Sequence, residues 1–389
     1  MVSVSPWPAR LGVYVHYPYC AKRCPYCDFN VVQPGPEGRP DARYRDAVLA
    51  ELDVRAAAYS GRPPAVSLYF GGGTPALWDP ECIGAVIEAV QARIGLVKDA
   101  EITLEANPGE AQADTFIALR SIGINRLSLG TQSFDAEILT RLGRRNSPDD
   151  NRRCVSEARR AGFDNLSLDL IQAVAGQTTQ AALEDVDAVL ELEPTHVSTY
   201  ELTIHPQTPF GARASRGELL TADEDAQAEI YEATRQRLSE SGVMPYEVSN
   251  AARPGKEAVH NGLYWRMDEC LALGAGAHGF VRDAALEWGE RWENERHASR
   301  YMDAALKSMP AERHRERLDA ATLDFETLMT GLRLDAGIEL SPRARGRFVE
   351  RLETLQRRAL VILNAEKTSV RLTPRGRLLL DEASRTLLD

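Results

Sequence analysis

The sequence predicts an α/β chain: an incomplete (β/α)6 barrel followed by a helical, winged-helix-like C-terminal region. Short apolar runs alternate with longer amphipathic ones as far as about residue 205, and such alternation builds a parallel sheet with right-handed crossovers. A cysteine cluster directly follows the first apolar run, at the strand end where such sheets carry their functional loops. About the last 75 residues read instead as helices, two short strands and a closing helix.

Taken in order, the expected strands are Val13–Tyr17, Val66–Phe70, Ile102–Glu105, Arg126–Leu129, Leu166–Leu170 and Val197–Leu202. The helices between them are Tyr44–Ala58, Pro80–Ile94, Ala111–Ile122, Ser147–Ala161 and Gln180–Leu192. The first of these is helical because Val48, Leu49, Leu52 and Ala56 recur at steps of three and four. Beyond residue 210 the alternation stops. A polar helix, Ala222–Ser241, leads to Met244–Val248 and a glycine-rich stretch, Gly274–Gly279. Met309–Arg317 reads as a hinge or linker; Leu360–Leu363 and Ser369–Leu372 read as a hairpin before the helix Pro374–Leu388. The expected organisation is a barrel over 1–215, an extension over 216–310 and a C-terminal module over 311–389.

At 389 residues there is ample chain for several cores, and 43% hydrophobic with 26% charged residues is the balance of a globular protein. A net charge of −11 opposes broad nucleic-acid or anionic-membrane binding. Six cysteines with three clustered suit a reducing compartment better than a disulfide framework. The N-terminal Met1–Pro8 has no apolar core of a signal peptide, and no apolar run reaches spanning length. The expected location is therefore the cytoplasm, with peripheral membrane contact left open.

Cys20, Cys24 and Cys27 form a C-x-x-x-C-x-x-C motif. Three thiolates on a four-iron cluster leave one iron open to a ligand, whereas structural zinc wants a closed set of four and an electron carrier usually four cysteines. Zinc with a distant fourth ligand, His16 or Cys82, is the alternative. Gly71-Gly72-Gly73-Thr74-Pro75 follows the second strand, where glycines let the backbone approach a ligand. Glu105, Gln132 and Asp169 stand at the ends of later strands and Arg144 lies in a loop; each alone reads as a satisfied buried polar group, together they read as a pocket wall.

The cysteine spacing, the aromatic Tyr26 before Cys27 and the glycine run together resemble the radical S-adenosylmethionine superfamily, in its coproporphyrinogen-oxidase-like branch. That resemblance implies a [4Fe-4S] cluster on the three cysteines and S-adenosylmethionine held by Tyr14, Phe29, Gly72, Gly73, Thr74, Glu105, Gln132, Arg144 and Asp169. It implies reductive cleavage of the sulfonium to methionine and a 5′-deoxyadenosyl radical, with electrons from a flavodoxin-like or ferredoxin-like reductant. The oxygen-independent coproporphyrinogen III oxidases of that branch carry a further cysteine two residues after the third, where this chain has Phe29, and a longer segment before the first strand. His260-Asn261-Gly262-Leu263-Tyr264-Trp265 resembles the H-N-x-x-Y-W motif of HemW-type heme chaperones. That likeness implies heme as cargo, His260 as its axial ligand, a heme-accepting client protein and a homodimer by analogy, without assigned catalytic residues. The motif-free reading has His260 capping a turn with both aromatics in the core. Oxidase activity is the alternative function, and a zinc- or cluster-holding interaction module the third.

His278 reads as a turn residue, and Cys82, Cys154 and Cys270 as buried small apolar residues. Arg343–Arg358 carries six arginines against two glutamates and reads as a solvated helix face rather than a nucleic-acid surface.

Overall fold

The computed structural model describes residues 10–283 and 286–388. The expectation that Met1–Pro8 carries no signal-peptide core falls on residues outside this range.

Six parallel strands form the centre, hydrogen-bonded in chain order: β1 (Leu11–Tyr17), β2 (Ala65–Gly72), β3 (Leu96–Ala106), β4 (Arg126–Gln132), β5 (Leu166–Gln172) and β6 (His196–Glu201). The crossovers are α1 (Asp41–Ala56), α2 (Pro80–Arg93), α3 (Ala113–Ser121), α4 (Ala136–Arg141), α5 (Pro148–Arg160) and α6 (Thr179–Glu191). Helix starts follow local chemistry. Asp79 accepts from the Glu81 N–H just before Pro80, and Ser147 with Asp150 forms a capping box ahead of α5. One face of the strands packs against helices: Leu68, Leu104, Leu127, Leu129, Leu166, Leu168 and Val197 are fully buried in the main core. The other face lines a cavity.

Two elements differ from expectation here. β3 begins six residues earlier than Ile102, because Leu96 pairs with Ala65 across a bulge although Val97, Lys98 and Asp99 are exposed. Helix α4 was not expected; Asp135 caps it by accepting from the Glu137 and Ile138 N–H groups.

Past β6, α7 (Pro209–Ala214) and α8 (Glu224–Glu240) lead to a short antiparallel edge, β7 (Met244–Pro245) and β8 (Asn250–Ala252). After α9 (Val259–Trp265) the chain crosses to the opposite edge of the sheet. There β9 (Glu269–Leu273) runs parallel to β1, and β10 (His278–Arg282), β11 (Trp288–Asn294) and β12 (Glu312–Asp319) continue antiparallel, with α10 (Ala298–Ala305) inserted. One twelve-stranded sheet results. Met309–Arg317 is therefore no linker over most of its length: Glu312–Arg317 pair with β11 as an edge strand whose charged side chains face water. The glycine-rich stretch is a close crossing. Gly274 has φ +100° and a Cβ there would press on the His16 carbonyl. Buried Glu51 of α1 holds the crossing by accepting from Gly274 N, Asn294 Nδ2, Tyr301 OH and Arg55 Nε.

The C-terminal region has its own core, from Leu328 to Leu387. It comprises α11 (Ala320–Gly331), β13 (Ile338–Glu339), α12 (Pro342–Arg357), β14 (Val361–Leu363), β15 (Ser369–Leu372), α13 (Pro374–Leu378) and α14 (Leu380–Leu388). A helix followed by a hairpin in a three-stranded sheet is the winged-helix arrangement. Arg235 ties it to α8 through Asp335 at 2.6 Å, and Arg333 stacks 4.5 Å above the Trp265 ring.

Candidate functional site

β1 ends at Tyr17 and releases the cysteine loop. The loop is not free: Cys20 N donates to Val32 O at 3.0 Å, Val32 N to Pro18 O at 2.7 Å, and Cys27 N to Cys24 O at 3.1 Å. From across the barrel Phe210 N donates to Pro25 O, and His205 Nδ1 sits 3.3 Å from an Asp28 oxygen. The glycine run lies under this loop. Gly73 N donates to Tyr17 O and Thr74 N to Tyr19 O. A Cβ on Gly73 would fall 2.6 Å from Tyr19 O and 2.9 Å from Tyr17 O, both main chain, so only glycine fits. The run thus sets the backbone that launches the cysteines as well as bordering the cavity.

All three thiols are free and line one cavity of about 770 Å3. Thr74 Oγ1 donates to Cys20 Sγ and Arg144 Nη1 to Cys24 Sγ, each at 3.5 Å. Asn107 joins the two, donating to Thr74 Oγ1 at 2.9 Å and accepting from Arg144 Nη2 at 2.8 Å. Burial pushes the Cys20 thiol up to about 11 and raises Cys27 as well; metal ligation reverses this by taking the thiolate. Among the described residues no three His, Cys, Asp or Glu side chains are gathered to hold a single ion. Thiolates on one zinc lie within about 4 Å of each other, whereas a cubane spreads them over three irons. Free thiols on one wall, with donors aimed at two sulfurs, fit a cluster.

Below the cysteines, Glu105 accepts from Tyr69 OH at 2.7 Å and from Gly72 N at 3.1 Å. Burial raises its carboxyl to about 7. Asp169 accepts from the Ser128 and Ser167 hydroxyls and is likewise raised by burial. Gln132 adopts φ 66° at a bulge in β4, a conformation L-residues avoid unless the surroundings impose it. Phe29, Gly72, Gly73, Thr74, Glu105, Gln132, Arg144 and Asp169 all line the cavity with the cysteines.

Two expected site residues do not. Tyr14 is absent from the lining; its hydroxyl meets His16 Nδ1 at 3.0 Å and its ring backs Gly71. His260 is 1% exposed, with Nδ1 2.9 Å from Ser67 Oγ and Nε2 2.9 Å from Tyr264 OH. Its ring stacks on Tyr69 at 5.0 Å, and burial, then Arg126, hold it neutral near 3. In this arrangement both ring nitrogens are engaged by protein hydroxyls, and His260 stands as a buried hydrogen-bonding post. Asn107 was missed, although it directly follows Glu105-Ala106 at a strand end. Arg126 was read only as the first residue of a strand.

A parallel barrel whose first strand delivers three free thiols to a cavity walled by carboxylates, an arginine and a glycine turn defines a protein of the radical S-adenosylmethionine class. The Radical SAM superfamily model matches residues 14–189. The heme chaperone HemW of Mycobacterium tuberculosis is 36% identical over 99% of this chain and 97% of its own. That of Escherichia coli K12 is 40% identical over 72% of each. Among solved structures, the Escherichia coli coproporphyrinogen III oxidase HemN superposes with a TM-score of 0.81 over 99% of this chain and 91% of its own, at 24% identity, a likeness of fold. The chain belongs to the HemW family of the radical SAM superfamily.

Proposed function

We propose that this protein is a heme chaperone: it binds heme, carries a [4Fe-4S] cluster and S-adenosylmethionine, and passes the heme to a client protein. The observation that carries this reading is the 36% identity to a curated heme chaperone along essentially the whole of both chains. Phe29, where the oxidases resembled above have cysteine, agrees with it.

Cys20, Cys24 and Cys27 would hold the cluster. When bound, cluster and S-adenosylmethionine supply one-electron chemistry at the sulfonium. This chain's residues bind and orient: Gly72 and Gly73 present backbone, Arg144 presents a guanidinium already fixed by Asn107, Asn146 and the Gly130 carbonyl. Glu105 and Asp169 face the cavity as acceptors suited to a cationic ligand. No helix among the described residues is long and apolar enough to cross a membrane. Delivery is proposed to occur in the cytoplasm or at a membrane surface, with an external flavodoxin- or ferredoxin-like reductant where the cluster is reduced.

The test is anaerobic. Reconstituted protein is titrated with heme, then mixed with an apo-hemoprotein, while a parallel sample receives coproporphyrinogen III, S-adenosylmethionine and reductant. Stoichiometric heme binding with transfer and no decarboxylated product is expected. A vinyl product that disappears in Cys24→Ser would make the protein an oxidase instead.

A further inference from the structure

The cysteine loop uses only the upper part of the cavity. Three strands send alternate side chains further down, as the twofold repeat of a strand requires. β4 contributes Arg126, Ser128 and Gln132, β5 Ser167 and Asp169, and β6 His196, Ser198 and Tyr200, all on the cavity wall. In register, Ser128 lies opposite Ser167 and Ser167 opposite His196, with Asp169 opposite Ser198. A closed (β/α) barrel fills these layers with branched apolar residues. Here they are polar down to the first residue of β4, about 20 Å from Gln132 at strand rise.

Most of this polar set is bonded from within. His196 meets Ser167 Oγ at 2.8 Å and Tyr246 OH at 2.9 Å, and Asp169 takes its serine hydroxyls. Among those without a side-chain hydrogen bond, Arg126 is the buried one, whereas Gln132 and Tyr200 are partly exposed. The Arg126 side chain is 3% exposed, and among the described residues its Nε has no hydrogen-bond partner. The nearest carboxylate oxygen, on Glu101, stands 3.9 Å away, and the Glu101 oxygens already accept from the Val259 and His260 N–H groups at 3.0 Å each. Thr103, opposite Arg126 on β3, also has an unpartnered buried hydroxyl. The neighbouring imidazoles of His196 and His260 are kept neutral by burial, so Arg126 is the cation of this floor.

A buried guanidinium whose Nε is unbonded and whose nearest carboxylate oxygen is 3.9 Å away, beside a free hydroxyl and at the end of a polar shaft, matches a planar anion with two oxygens. A buried cation so loosely paired is poorly compensated for its lost solvation. We propose that Arg126 is the anchor of a carboxylate-binding subsite at the cavity floor, and that it receives a carboxylate of the ligand entering from the cysteine side. Resting on the chaperone reading, that carboxylate is a heme propionate; S-adenosylmethionine is the other source of the same group.

The experiment measures the affinities of heme, heme dimethyl ester and S-adenosylmethionine for the reconstituted protein and for Arg126→Gln and Arg126→Lys. With a propionate on Arg126, the native protein binds heme about tenfold to a hundredfold tighter than the ester, the range of a charged hydrogen-bonded pair. Arg126→Gln abolishes that preference, Arg126→Lys keeps part of it, and S-adenosylmethionine binding is unchanged. A loss confined to S-adenosylmethionine supports the subsite and gives it to that cofactor's carboxylate. Equal binding of heme and ester with no variant altering either affinity overturns the subsite. Failure of the native protein to bind any heme overturns the chaperone reading, while the S-adenosylmethionine arm still decides Arg126. The ester comparison needs no substitution, so it stands even where a variant does not fold.

Discussion

The cysteine loop and the His260 segment each carry a short motif, and the fold treats them in opposite ways. The loop is irregular backbone held by several hydrogen bonds, with its thiols turned to a cavity and donors aimed at two of them. The His260 segment is helical and interior, each ring nitrogen already bonded and the ring stacked on Tyr69. Both ends of the comparison contain residues able to bind iron. What separates them is unfilled bonding capacity: a side chain serves a ligand where the protein leaves its valence open, and serves the fold where the protein closes it.

The largest expected effect is at the loop. Cys24→Ser should abolish retained iron after reconstitution while leaving the melting curve of the apoprotein nearly unchanged; iron retention by this variant would break the three-thiolate reading. At the other pole, His260→Ala should destabilise the fold by about 2–4 kcal/mol, from a cavity and the stranded Ser67 and Tyr264 hydroxyls. The fraction still folded should bind heme with native affinity. A stable variant unable to bind heme would return His260 to the role of ligand and undo the contrast.

Glu105 sharpens it through pH. Burial raises the folded-state carboxyl to about 7 from an ordinary 4.5, so the folded protein holds a proton that the unfolded chain releases. That stability is fully present below pH 4.5 and is lost as pH rises to about 7. Thermal melts of the apoprotein across this window should show the slope in the native protein and its loss in Glu105→Gln; an identical slope in both would assign it to other groups. The smallest effect lies far from either region. Arg358 pairs with Glu382 on the C-terminal surface, both side chains almost half exposed, and Arg358→Ala should change stability by no more than about 0.5 kcal/mol in denaturant titration.

Much of the fold was legible because the parallel strands are apolar on their helix-facing side and the helices carry caps such as Ser147 and Asp79. The strands past residue 265 were not. Glu312–Asp319 reads ERHRERLD, and nothing in that composition announces a strand whose exposed edge tolerates charge on most of its side chains. Within the site, the cysteines and glycines were legible from spacing. Asn107 and Arg126 were not, because an isolated polar residue at a strand end looks the same whether its bonds are met or open.

The sequence by itself determined the order of the six parallel strands, the cysteine motif and the family, since these depend on spacing along the chain. The tertiary structure decided that β9 returns beside β1, that His260 is enclosed, and that Arg126 lines the cavity with its Nε unbonded. Those outcomes depend on which groups from distant segments meet and exhaust one another's hydrogen bonds. Periodicity and motif encode a residue's neighbours along the chain; only packing sets how much of its bonding capacity remains for a ligand.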